Sequence, residues 1–162
     1  MEIREANIND RMEIVDLHIR SQAATRLPDP ELIAPEALGN RLYAREAIKR
    51  YVAVDVGRIV GHGLIEVPNP RHMKSWRSTS VVSNRPMIEL GAAFTDPELA
   101  GRGVWTALLK HRLQVVRDYE AIPVAATWTQ NEHVKRTFLH NNAVEAGVQP
   151  TSAGNVSLFV FQ

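Results

Sequence analysis

The chain contains no cysteine. Disulfides, a thiolate nucleophile and thiolate-ligated metal sites are thereby excluded. No apolar run is long enough to cross a bilayer, and the opening MEIREANIND holds no hydrophobic stretch of signal-peptide length. The expectation is a cytoplasmic protein with no membrane partner. Charge of one sign is also scarce: a net charge of +1 gives no general basic surface for nucleic acid. Gly101 and Gly103 lack both the third glycine of a dinucleotide fingerprint and the Gly-Lys-Ser/Thr ending of a P-loop. There is no Gly-x-Ser-x-Gly elbow for hydrolase chemistry. His133 and His140 lie seven apart without a His-Glu-x-x-His pattern, so no metal site is expected.

What is present is a globular composition, 44% hydrophobic over 162 residues, enough for one domain spanning 1–162. EIREA alternates around Ile3 and predicts a first strand. Asp10 with Glu13 resembles a capping box, and Ile8, Met12, Val15 and Ile19 follow at helical spacing. Three prolines break LPDPELIAP, and Pro35 starts a second helix expected over 35–49. YVAVDVGRIVGHGLIEV reads as a hairpin turning at Asp55–Arg58. The polar stretch 68–85, with its basic cluster RHMKSWR, reads as a long loop, solvated or in contact with an acidic partner. His72 is read as a loop residue and His111 as a helix-surface residue.

PMIELGAAFT reads as a buried strand. A helix over 103–119 places Trp105, Leu108, Leu109, Leu113 and Val116 on one stripe. IPVAATWT is a further strand, NEHVKRTFLHNN a short helix capped by Asn131, and VSLFVFQ a last strand. This order suits an α/β fold with one mixed sheet flanked by helices. The closing hydrophobic strand reads as an edge needing cover, which a homodimer would supply.

In FTDPELAGRGVWTALL a strand end feeds a glycine turn and then a helix. Main-chain N–H groups and the helix dipole converge at such a place and favour anions. Together with NEHVKRTF after the next strand, this stretch resembles the GNAT superfamily of N-acetyltransferases, and the likeness covers nearly the whole chain. It implies that fold, with acetyl-CoA as co-substrate and a primary amine as acceptor, on a small molecule or an exposed protein amino group. The family's Arg/Gln-x-x-Gly-x-Gly/Ala loop binds the diphosphate through main-chain amides, and its positions fall here on Ala100, Gly103 and Trp105. The implied cofactor residues are Gly101, Arg102, Gly103, Val104, Trp105 and Thr106. Ala100 lacks the usual side chain and Trp105 replaces a small residue. The indole either joins the helix's apolar stripe, leaving the amides open, or blocks the cradle.

The resemblance also implies that a main-chain N–H within Ala93, Phe94 and Thr95 polarises the thioester carbonyl. The family's Asn-x-x-Ala-x-x-x-Tyr falls on Asn131, Val134 and Phe138. Asn131 is then a cofactor contact or a plain helix cap. Phe138 has no proton for a departing thiolate, and a positioned general acid contributes about 10²–10⁴-fold in rate. A slower or differently assisted enzyme is expected.

Glu89 is the candidate catalytic residue. It shares a strand face with Gly91, Ala93 and Thr95, which leave room for a substrate beside its carboxylate. Its placement is similar to the catalytic glutamate of the histone-acetylating branch of the superfamily. His62, among glycines in VGHGLI, is a base, a substrate contact or a hydrogen-bonded sheet residue. Tyr43 lines the substrate mouth or packs a helix. The departures at Ala100, Trp105 and Phe138 also fit a second reading, a non-catalytic member of the fold that binds CoA or a protein partner.

Overall fold

The computed structural model describes residues 1–24, 47–80 and 84–162. The elements are β1 (Glu2–Glu5), α1 (Arg11–Ala24), β2 (Ala47–Asp55), β3 (Arg58–Glu66), α2 (Met73–Arg77), β4 (Met87–Thr95), α3 (Val104–Asp118), β5 (Ile122–Trp128), α4 (Glu132–His140), β6 (Ala143–Thr151) and β7 (Gly154–Phe161). The strands form one seven-stranded sheet in the order β1-β2-β3-β4-β5-β7-β6. β4 and β5 run parallel, while the pairs β1–β2, β2–β3, β5–β7 and β6–β7 are antiparallel, so the sheet is mixed as expected. The expected helix over 35–49 falls outside the described residues except at 47–49, which lie in β2. The chain divides into two compact units, 1–66 with 92–112 and 67–91 with 113–162.

In the first unit, β2 and β3 form the expected hairpin, with Val56 and Gly57 at its tip. Successive residues of β3 serve opposite faces. A Cβ placed on Gly61 would meet Leu108 and Val104 of α3, and one on Gly63 would lie 3.0 Å from the Arg112 guanidinium. His62 faces the other way, toward His18 of α1. Ile14, Leu17, Val52 and Ile59 form the apolar part of that α1-facing core.

The face that α1 buries differs from the expected stripe. Ile8 and Met12 are 76% and 78% exposed, whereas Asp10, Ile14, Leu17 and His18 are buried. The cause lies at the helix start. The Asp10 carboxylate caps the Asn7 N–H at 2.7 Å and takes a two-pronged ion pair from Arg4 at 2.7 and 2.8 Å. This turns Asp10 inward, and positions four, seven and eight residues later follow it.

In the second unit, Trp76, Met87, Ile122, Val124, Val156, Leu158 and Val160 form one apolar cluster. The basic stretch RHMKSWR is therefore not simply a solvated loop. It contains α2, which drives Trp76 to 0% exposure while Arg71, Lys74 and Arg77 stay outside. His72, expected as a loop residue, is buried with its ring edge-on to Trp76 at 5.1 Å. On the opposite face of β7, Phe159 and Phe161 each hold the Phe138 ring at 5.3 Å. β7 is not an edge, because it pairs with β5 on one side and β6 on the other. The reason offered for a homodimer through that strand thus falls away. The edge is β6, a strand the sequence signalled poorly, since Gly147 and Pro150 interrupt its pattern.

Candidate active site

Strand β4 hands the chain to α3 through a series of tight turns. Leu99 donates to the Asp96 carbonyl at 3.0 Å, Ala100 to Pro97 at 3.2 Å and Arg102 to Leu99 at 3.1 Å. The first helical bond then runs from Ala107 N–H to Gly103 at 2.9 Å. Helix geometry leaves the earlier amides without intrahelical acceptors. The N–H groups of Gly101, Gly103, Val104 and Thr106 have no acceptor among the described residues. Gly101 and Gly103 sit at φ +77° and +80°, a conformation that disfavours other residues. A Cβ on either would meet none of the described residues within 4 Å. The result is four main-chain donors at a helix start, two of them on exposed glycines, with Arg102 exposed among them.

Trp105 does not join the buried stripe. Val104, Leu108, Leu109, Leu113 and Val116 are buried, and Trp105 is half-buried at the first turn. Its indole nonetheless stays more than 4 Å from a Cβ placed on either glycine.

Upstream of the loop, Ala93, Phe94 and Thr95 close β4 and are half-buried. The Phe94 ring packs on His18 with centroids 3.7 Å apart. His18 Nε2 lies 3.0 Å from His62 Nδ1, and both residues are fully buried. Such a bond needs one protonated and one bare nitrogen, so the two rings cannot both be charged. Burial, then the charge of Arg50, pushes His18 down to about 3. Burial, followed by His18, Arg50 and Arg112, holds His62 well below its ordinary value. The outward nitrogens, His18 Nδ1 and His62 Nε2, have no partner among the described residues. A base held so far below neutral pH and sealed from solvent is a poor proton acceptor.

Beneath the same sheet lies Arg112, its pKa pushed to about 10 by burial alone, still charged at neutral pH. It donates to the Leu64 carbonyl at 3.2 Å and the Leu108 carbonyl at 3.3 Å. His111 is half-buried rather than on the helix surface, its ring edge-on to Tyr51 at 4.8 Å.

In the second unit, Glu89 is buried at 8% exposure and its Oε2 accepts the Asn69 N–H at 2.8 Å. Asn69 also accepts from the Arg71 and His72 amides, each at 3.0 Å. The segment before α2 is thereby folded onto the candidate carboxylate. The β4–β5 ladder pairs Met87–Glu89 with Ile122–Val124, so Glu89 occupies its last pair. Asn131 caps α4 through Oδ1 with a long 3.4 Å bond from Val134 N–H. Phe138 is a core residue between two phenylalanines. Tyr43 lies outside the described residues.

Two groups were missed in the sequence. His18 sits in a helix whose stripe was assigned to other positions. Asp96 heads Asp-Pro-Glu, a helix-start signal that could have been read.

The sequence matches the acetyltransferase (GNAT) family over residues 13–141. No curated protein matches it. Among solved structures, a ribosomal-protein-alanine N-acetyltransferase from Brucella melitensis is similar with a TM-score of 0.73 at 15% identity, covering 99% of this chain and 98% of that one. The yncA structure from Salmonella typhimurium, which contains its cofactor acetyl-CoA, aligns with a TM-score of 0.72 at 17% identity over 100% and 93%. A Corynebacterium glutamicum protein described as histone acetyltransferase HPA2 and related acetyltransferase gives 0.71 at 22% identity over 98% and 93%.

Proposed function

The chain belongs to the acetyltransferase (GNAT) family, and we propose that it moves an acetyl group from acetyl-CoA to a primary amine of a small molecule or an exposed protein amino group. The observation that carries this reading is the set of amides at Gly101, Gly103, Val104 and Thr106 with no acceptor among the described residues, which begins at two exposed glycines. Those donors suit a diphosphate, which needs several N–H groups at fixed positions and no particular side chain.

In the reaction, the amine nitrogen attacks the thioester carbonyl carbon, the carbon–sulfur bond breaks, and the acetyl group remains on nitrogen. A main-chain N–H of the Ala93–Thr95 segment stabilises the carbonyl oxygen as charge develops on it. Such a donor is worth roughly 10²–10³ in rate. The Glu89 carboxylate takes the proton lost by the ammonium. Phe138 has no proton to give, so the departing sulfur takes one from water.

Calorimetry with acetyl-CoA tests the first half of this reading, and saturable binding is expected. At about 100 times its dissociation constant the ligand should stabilise the fold by roughly 2.7 kcal/mol. Absence of any effect at millimolar ligand would favour the second reading, a scaffold that binds a protein partner. With an amine acceptor found by screening, Glu89→Gln should cut turnover about 10²–10⁴-fold at nearly constant cofactor affinity. Equal loss of both would remove Glu89 from the proton-transfer step.

A further inference from the structure

Asp96 follows the last residue of β4 and opens the turns that lead to the glycine loop. It is 1% exposed, and each of its polar groups is used. Its N–H donates to the Val60 carbonyl at 2.9 Å, and its carbonyl accepts from Leu99 at 3.0 Å. Oδ1 accepts the Glu98 N–H at 3.1 Å. Oδ2 accepts from Arg20 Nη1 of α1 and from Arg58 Nη2 at the start of β3, both at 2.6 Å. Burial alone would favour the neutral acid; the bonds from Arg20 and the Glu98 amide, with the charges of both arginines, keep the carboxyl below its ordinary range.

The turns at Leu99, Ala100 and Arg102 are all short-range. They connect Asp96 to the amides beyond, and a Cβ on either glycine would meet none of the described residues within 4 Å. A loop of this kind gains affinity for an anion when its donors are fixed before the anion arrives. We propose that Asp96, held by Arg20 and Arg58, is the positioning residue that preorganises the diphosphate-binding amides. This rests on the acyltransferase reading.

Asp10 supplies an internal control. It is also buried, caps a short turn and pairs with an arginine, but it serves the start of α1 and not the loop. By titration calorimetry with acetyl-CoA, Asp96→Asn should raise Kd about tenfold. Asp10→Asn should lower the thermal midpoint similarly and leave Kd unchanged. Amide hydrogen exchange across 97–106, measured without ligand, should accelerate in Asp96→Asn and not in Asp10→Asn. Wild-type affinity in Asp96→Asn, or equal weakening by Asp10→Asn, would overturn the proposal. If Asp96→Asn does not fold, Arg58→Gln at its half-exposed site replaces it, with an expected rise in Kd of about threefold; wild-type Kd there would also overturn it. A wild-type protein that binds no acetyl-CoA would instead sink the acyltransferase reading, and this inference with it.

Discussion

The two compact units solve the problem of an interior in different ways. The first buries His18, His62, Asp96 and Arg112 beside its aliphatic residues. Most of the polar atoms there are tied to another residue: the two imidazoles to each other, Asp96 to two guanidiniums, Arg112 to main-chain carbonyls. The second unit also buries Glu89, His72 and Ser157, but most of its interior is Trp76 and aliphatic strand residues on one face and three phenylalanines on the other. Hydrogen-bonded polar groups fix orientation in an interior, whereas apolar burial supplies non-directional stability. The glycine loop belongs to the first unit, where orientation is specified.

The contrast breaks most visibly at Trp76. Trp76→Ala should lower the unfolding free energy by about 3–5 kcal/mol, because a fully buried indole leaves a cavity. Trp76→Phe should cost much less, since its Nε1 has no partner among the described residues. Urea unfolding of both variants checks this, and equal losses would mean that the indole N–H is bonded in solution.

Acid should act most strongly through the histidine pair of the first unit. His18 is neutral when folded, with a pKa of about 3, and ordinary when unfolded. The unfolded chain therefore binds the extra proton below about pH 6.5, and stability is complete above that value. It declines as pH falls from there toward 3, by roughly 1.4 kcal/mol per pH unit for this residue. His62, shifted the same way, steepens the slope. Urea midpoints between pH 7 and 4.5 measure it, and a His18→Gln/His62→Gln double variant should flatten it. An unchanged slope in that variant would show that the pair is not buried and neutral.

The smallest effect is expected at Phe138. Phe138→Tyr adds a hydroxyl to a ring enclosed by Phe159 and Phe161, and should cost about 1–2 kcal/mol unless the phenol finds a partner. Thermal unfolding would register the loss. A variant as stable as wild type, with faster turnover, would show that the phenol reaches the departing sulfur.

Much of the architecture was legible because its signals are local. β4, α3 and α4 follow their hydrophobic periods, and the hairpin follows its turn. The errors arose where a distant partner outweighed a local pattern. Ile8 and Met12 have helical spacing, but Arg4 pulls Asp10 inward and turns them to solvent. Trp76 sits among basic residues that suggested a solvated loop, yet one indole outweighs its neighbours once β7 offers a surface. The loop glycines were readable; the Asp96 anchor that orients them depends on arginines contributed by α1 and β3.

Residue order alone determined the alternation of elements and the glycine-bearing turn before a helix, since both arise from spacing and backbone freedom among neighbours. Only the tertiary structure decided which polar side chains enter the interior. His62 meets a partner 44 positions away and Asp96 one 76 positions away. Burying such groups is favourable only when the complementary atom arrives with them, and nothing in local spacing records that arrival.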